Sequence, residues 1–160
     1  MIIVVDASVL VAELLRRRGR ELLGRTEFQC MVAEEQWEEA RHELDKRVAS
    51  IIGQGRLTSE QGYQLIDVVH AFVASDVIDV VPRWFEHMAD TARRPVPRDP
   101  ADWAPVALAL ALDAAILTGD NDLLGCGCPT WIGRAGAIVT STTGFRSRRL
   151  STGRRRNFRI

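Results

Sequence analysis

The stretch "DWAPVALALALDAAILTGDNDLL", Asp102 to Leu124, decides how this chain folds. Its first half is an alanine–leucine run, dense in strong helix formers. Pro105 is tolerated only in the first turn of a helix, where its missing N–H has no partner to lose, so the helix starts near Asp102. The second half, "AAILT", is a short apolar segment closed by Thr-Gly-Asp, the pattern of a strand running into a turn. A helix feeding a strand that is apolar on both faces is half of a βαβ unit. Two acids, Asp120 and Asp122, stand just past the carboxyl end of that strand.

The alternation repeats in both directions. "IIVV" (Ile2 to Val5) is a β-branched run suited to a covered strand, and Asp6 follows it. Ser8 is placed to cap one helix, "VLVAELLRRRGRELL", with apolar residues at Val11, Leu14, Leu15, Leu22 and Leu23. "FQCMVA" (Phe28 to Ala33) predicts a second strand. A helix from about Glu34 to Ile52 follows, with Trp37, Ala40, Leu44, Val48 and Ile51 on one face and Gly53-Gln54-Gly55 as its stop. Thr58 or Ser59 caps the helix of "LTSEQGYQLIDVVHAFVA", and "VIDVV" (Val77 to Val81) is a third strand stopped by Pro82. Trp84 to about Arg93 reads as a short helix, "RRPVPRDP" as a proline-rich loop, and "PTWI" as a fifth short strand. The expected fold is α/β, a three-layer α/β/α sandwich on a small, mainly parallel sheet. Ligands of such folds collect beyond the carboxyl ends of the strands, where Asp6 and Asp120 fall.

A chain of 160 residues fits one domain with a real core. Hydrophobic residues at 46% and charged residues at 26% are the proportions of a soluble globular protein. No apolar run reaches the ~18 residues of a membrane helix. "MIIVVD" is too short for a secretory leader and has no basic flank, so the expectation is a cytoplasmic protein without a membrane role. Three cysteines give no disulfide framework, and Cys126 and Cys128 form a C-x-C. With His42, His70 and His87 unpaired, zinc is weakly signalled, and buried or idle thiols are the plainer account. Lys46 is the sole lysine, a hint of a GC-rich prokaryotic genome.

The net charge of zero conceals an asymmetry. Residues 146–160, "RSRRLSTGRRRNFRI", hold seven arginines and no acid, leaving 14 basic against 21 acidic residues in 1–145, a net of about −7. The expected organisation is therefore a domain over 1–145 and a basic tail over 146–160. The tail is either a phosphate-contacting arm, with Arg154, Arg155 and Arg156 at its centre, or a solubilising end.

Acids recur where this topology gathers them: Asp6 after the first strand, Glu39 in the helix after the second, Asp99 and Asp102 before the alanine–leucine helix, and Asp120 and Asp122 after the fourth strand. Each aspartate has an ordinary alternative as a turn or cap residue, and Glu39 one as a solvated surface acid. Glu39 lies almost opposite the apolar face of its helix, and Glu43, nearer the edge of that face, competes with it. No P-loop, G-x-G-x-x-G or Ser-His-Asp arrangement is present. Clustered carboxylates without a partner base make poor nucleophiles but good ligands for a hard divalent cation, which would offset their repulsion.

Four pieces, "IIVVDASVLVAELL", "VAEEQWEEARHEL", "RDPADWAPVALALALDAAILTGDNDLL" and "PTWI", occur in an order that resembles the PIN-domain nucleases, the family that includes many VapC-type toxins. The resemblance covers residues 1 to about 132, and the third piece is its most specific part. It implies RNA cleavage with Mg²⁺ or Mn²⁺ by a catalytic set of Asp6, Glu39, Asp102 and Asp120. Asp6, Asp102 and Asp120 would be the metal ligands, with Asp99, Asp122 and Glu43 as secondary candidates and Ser8 and Thr118 as supporting hydroxyls. Because the body is acidic, RNA contacts would fall on Arg93, Arg94 and Arg98 and on the tail. A single-stranded or looped RNA suits a cleft better than a duplex. The toxin reading adds a cognate antitoxin and a homodimer. Rival readings are a PIN-like nuclease acting in RNA processing or on DNA, and a non-catalytic nucleic-acid-binding module. A haloacid-dehalogenase-like phosphatase, which also begins strand-Asp, needs a second aspartate where this chain has Ser8.

Overall fold

The structure, a computed structural model, describes residues 1–94, 102–134 and 137–141. Its elements are β1 (Ile2–Val5), α1 (Ala7–Leu14), α2 (Arg17–Leu23), β2 (Gln29–Ala33), α3 (Glu34–Gly53), α4 (Ser59–Phe72), β3 (Ile78–Val81), α5 (Ala89–Arg93), α6 (Trp103–Leu112), β4 (Ala115–Thr118), β5 (Thr130–Arg134) and β6 (Ala137–Ser141). These six strands form one sheet in the order β3-β2-β1-β4-β5-β6, with β1 to β5 mutually parallel and β6 antiparallel to β5. The sheet is thus mainly parallel, and β6 is a strand that the sequence pattern did not reveal.

Strand alternation sorts the core into two layers. Ile3, Val5, Cys30, Val32 and Leu117 pack on one face with Leu10 and Leu14 of α1, Ala40 and Leu44 of α3 and Val69 of α4. Val4, Ala33 and Ile116 point the other way, onto Phe85, Ala92 and the Ala104–Ala109 stretch of α6. Neighbouring side chains of a strand face opposite sides, so a run such as Ile2–Val5 must be apolar throughout to serve both layers. The three-layer α/β/α expectation is met.

Two local expectations are corrected. The single helix expected from Val9 to Leu23 is two: Arg16 takes extended backbone angles (φ −107°, ψ 136°) and α2 folds back against α1. Gly19 permits this, because a Cβ there would collide with the backbone of Glu13. The segment after Pro82 is a 3₁₀ turn, Arg83–Met88, and only its end is α-helical, as α5. By contrast the cap at Thr58 is as expected: its hydroxyl accepts from the Gln61 N–H at 3.2 Å while the Gln61 side chain accepts from the Thr58 N–H at 2.9 Å. No helix among the described residues is long and apolar enough to cross a membrane.

The sheet order fixes where a site can form. From β1 the chain moves outward through β2 to β3, then returns to place β4 on the other side of β1. The switch point of the sheet therefore lies between the carboxyl ends of β1 and β4. In register, Val5 stands opposite Leu117, so Asp6 and Thr118 are the next residues across the gap.

Candidate active site at the switch point

Asp6 leaves β1 with its N–H still on the ladder, donating to the Leu117 carbonyl at 3.0 Å. Its carboxylate is buried and accepts at Oδ2 from the Ser8 hydroxyl at 2.6 Å and from Thr118 Oγ1 at 3.0 Å. Ser8 is thus not the cap of α1, as its sequence position suggested. Asp6 occupies that position, and the Ser8 hydroxyl is turned onto it. Both donors sit on Oδ2, which leaves Oδ1 without a protein donor among the described residues.

Thr118 is the hinge of the arrangement. It is fully buried, donates to Asp6 and accepts from the Asp120 N–H at 2.9 Å. Asp120 in turn caps the 3₁₀ turn Asn121–Leu123, its Oδ1 accepting from the Asp122 N–H at 2.8 Å. One hydroxyl therefore ties the first acid to the fourth strand's acid, with Thr118 itself 112 positions from Asp6. Asp122 supplies its backbone to this turn and is half-buried.

The remaining acids approach from the helices. The Ala7 N–H, at the start of α1, donates to Gln36 Oε1 at 2.9 Å, and Gln36 Nε2 reaches Glu39 Oε2 at 3.4 Å. Glu39 is exposed yet linked through buried Gln36 to the residue after Asp6. Glu43 is half-buried and bonded to Arg47 at 3.0 Å. Asp102 occupies the N-cap position of α6, half-buried and without a side-chain capping bond. Since α6 runs into β4 through the tight turn at Asp113–Ala114, the helix is antiparallel to the strand and its N-terminus returns to the carboxyl edge. Asp99, Arg98 and Arg154 to Arg156 lie outside the described residues. Arg93 is exposed, pairs with Asp90 at 3.7 Å and stacks over Trp103 at 5.1 Å, which sets it beside Asp102's helix end. Arg94 is exposed.

Among the described residues, no group of three or more His, Cys, Asp or Glu side chains is placed to hold a metal ion. Oxygen ligands of the kind present at the junction are those a hard cation takes: Asp6 keeps one oxygen without a donor, and the Asp120 backbone is tied to it through Thr118.

Two contributors were not singled out from the sequence. Gln36, 3% exposed, holds α1 and α3 together at the site, but a glutamine in a glutamate-rich helix carries no pattern. Glu13 is buried, pairs with Arg16 at 3.4 Å and lines a cleft of 430 Å³ with Ser8, Val9, Ala12, Arg16, Gly119 and Asp120. Its only sequence signal is a spacing of seven from Asp6, two helical turns along one face. The three cysteines are free thiols. Burial and Asp79 push Cys30 up to about 11. The Cys128 thiol hydrogen-bonds to Cys126 and lowers it to about 6, while Cys128 itself is raised.

No curated protein matches the sequence. Among solved structures, the fold is similar to a chain in the crystal structure of VapBC2 from Rickettsia felis bound to a DNA fragment from their promoter. The TM-score is 0.54 at 12% identity, covering 82% of this chain and 98% of that one. A PIN-domain family model matches residues 4–140, which span all four acid-bearing segments as well as the β1–β4 junction, and the chain belongs to the PIN-domain family.

Proposed function

We propose that this chain is a divalent-metal-dependent endoribonuclease that hydrolyses RNA phosphodiester bonds and serves as the toxin of a toxin–antitoxin pair. The observation that carries the reading is the Asp6–Thr118–Asp120 junction at the switch point of a PIN-domain sheet. When bound, Mg²⁺ or Mn²⁺ supplies a water of lowered pKa and offsets charge on the leaving oxygen. Asp6, through Oδ1, and Asp120 are the carboxylates that would hold it, and Asp102 is the third candidate. Ser8 and Thr118 fix the rotamer of Asp6, so its free oxygen keeps one direction. Glu39 orients the attacking water and takes its proton; Asp99, Asp122 and Glu43 are secondary candidates. Arg93, Arg94 and Arg98 and the tail arginines contact phosphates, since the body of the chain repels RNA. A partner antitoxin covering the cleft is supported by the similarity to a chain from a VapBC2 complex. A homodimer and a cytoplasmic site of action complete the proposal.

The test replaces Asp6, Asp102 or Asp120 by asparagine, which keeps shape and removes charge. Divalent-dependent RNA cleavage should fall by more than roughly 100-fold, because even outer-shell changes at metal sites cost about 10–100-fold. The circular dichroism spectrum should stay that of the wild type. An Asp6→Asn protein that cuts RNA at the wild-type rate would sink the assignment. Faster cleavage of a matched DNA strand would favour the DNA-acting reading. No cleavage together with no Mn²⁺-induced rise in melting temperature would favour a binding module.

A further inference from the structure

The cleft that opens on Asp120 continues away from the acids. One wall is α1 and the turn after it, presenting Ser8, Ala12, Glu13 and Arg16; Gly119 forms the opposite side. Ser8 and Ala12 stand one turn apart on α1, and Arg16 follows just past the helix end. Ala12 is small and Gly119 carries no side chain, so little bulk stands in the cleft shared by Asp120 and Arg16. A Cβ at Gly119 would stand 3.5 Å from Val9 and 3.6 Å from the Ser8 hydroxyl.

Arg16 differs from the arginines around it. Arg17 is bonded to Glu21 on the outer surface at 2.9 Å, and Arg20 is turned onto the Leu14 carbonyl at the end of α1. Arg16 alone of these lines the cleft, held by Glu13 in a lopsided pair: the carboxylate side chain is 12% exposed and the guanidinium side 57%. The acid is therefore fixed and the cation is movable. Releasing the guanidinium leaves the buried Glu13 carboxylate uncompensated, so only a ligand that is itself anionic draws Arg16 outward. A guanidinium offers a planar fork that matches phosphate oxygens.

We propose that Arg16 is a substrate-binding residue that grips an RNA backbone phosphate flanking the one to be cut, and that Glu13 holds it ready at the far end of the cleft. The inference rests on the ribonuclease reading and assigns it a binding subsite. Arg16 lies past the end of α1, at the opposite end of that helix from Asp6. It sets the direction in which the strand leaves Asp120, along α1.

The test measures binding of a single-stranded RNA oligonucleotide to the full chain in EDTA, so that cleavage does not interfere, over a series of salt concentrations. Arg16→Ala should raise Kd by about 3–10-fold and reduce the salt slope by about 0.7, the value for one phosphate contact on a single strand. Arg16→Lys should keep the slope and lose part of the affinity. Glu13→Gln, which frees the guanidinium, should tighten binding. Arg17→Ala, outside the cleft, should match wild type. In cleavage assays with metal restored, Arg16→Ala should raise KM with little change in kcat, as expected of uniform binding. Wild-type Kd and slope in both Arg16 variants, with RNA cleavage intact, would overturn the subsite and leave the nuclease reading standing. Loss of slope in Arg16→Ala in a protein that cleaves no RNA would keep the phosphate subsite and overturn the nuclease reading. A wild-type chain that does not bind RNA would overturn both.

Discussion

Replacing Thr118 by valine keeps the side chain's shape and removes one hydroxyl, and the structure sets what that hydroxyl is worth. Thr118 is fully buried, donates to the Asp6 carboxylate at 3.0 Å and accepts from the Asp120 N–H at 2.9 Å. A hydrogen bond to a charged group contributes about 1.5–3 kcal/mol and a neutral one about 1. The valine also leaves both partners facing a methyl group in a confined space. Because Asp6 retains the Ser8 hydroxyl at 2.6 Å, part of its demand is still met. The expected destabilisation is about 3 kcal/mol, which for a domain of this size lowers Tm by roughly 6–12 °C. Thr118→Ser keeps the hydroxyl and loses one buried methyl, so it should cost only about 1 kcal/mol. Thermal melts of the three proteins at neutral pH, without added metal, measure this directly. Equal melting temperatures for the valine and serine variants would refute the claim that this hydroxyl couples β1 to the β4 turn.

Two further outcomes follow from the packing and the thiols. Gly19→Ala should destabilise the chain by about 1–3 kcal/mol despite the better helix propensity of alanine, since the new Cβ meets the unyielding backbone of Glu13. Gly53→Ala, with nothing within 4 Å of its Cβ, should instead stabilise by about 0.5–1 kcal/mol, and urea denaturation of both separates the two cases. A thiolate absorbance titration should show Cys126 ionising near pH 6 instead of 9.0, and Cys128→Ala should move that step upward. The sign is set by the lowered value: the thiolate's contribution to folding is complete above about pH 9, the unfolded value, and is lost as pH falls through about 6. Loss of the Cys128 donor should therefore flatten the stability profile across that window.

The sequence by itself determined most of the architecture. Ile2–Val5 and Ala115–Thr118 are short, apolar on both faces and followed by acids, and a strand covered by two helical layers has no other composition open to it. Pro105 and the alanine–leucine run likewise located α6, because backbone sterics act locally. The failures are equally physical. The break between α1 and α2 depends on Gly19 meeting Glu13 across a turn, a contact that hydrophobic periodicity does not encode. Among the described residues, strand β6 pairs only with β5, and its pattern acquires meaning from that partner.

At the site, the sequence supplied the acids and the tertiary structure decided their company. Asp6 and Asp120 were legible because each ends a strand, and strand ends are fixed by local pattern. That Thr118 bonds to both, that Gln36 ties Ala7 to Glu39, and that Glu13 and Arg16 extend the cleft are consequences of strand order and helix packing. The sequence separation of 112 between Asp6 and Thr118 is closed to one hydrogen bond by the pairing of β1 with β4. Only a folded chain brings residues so far apart in sequence within reach.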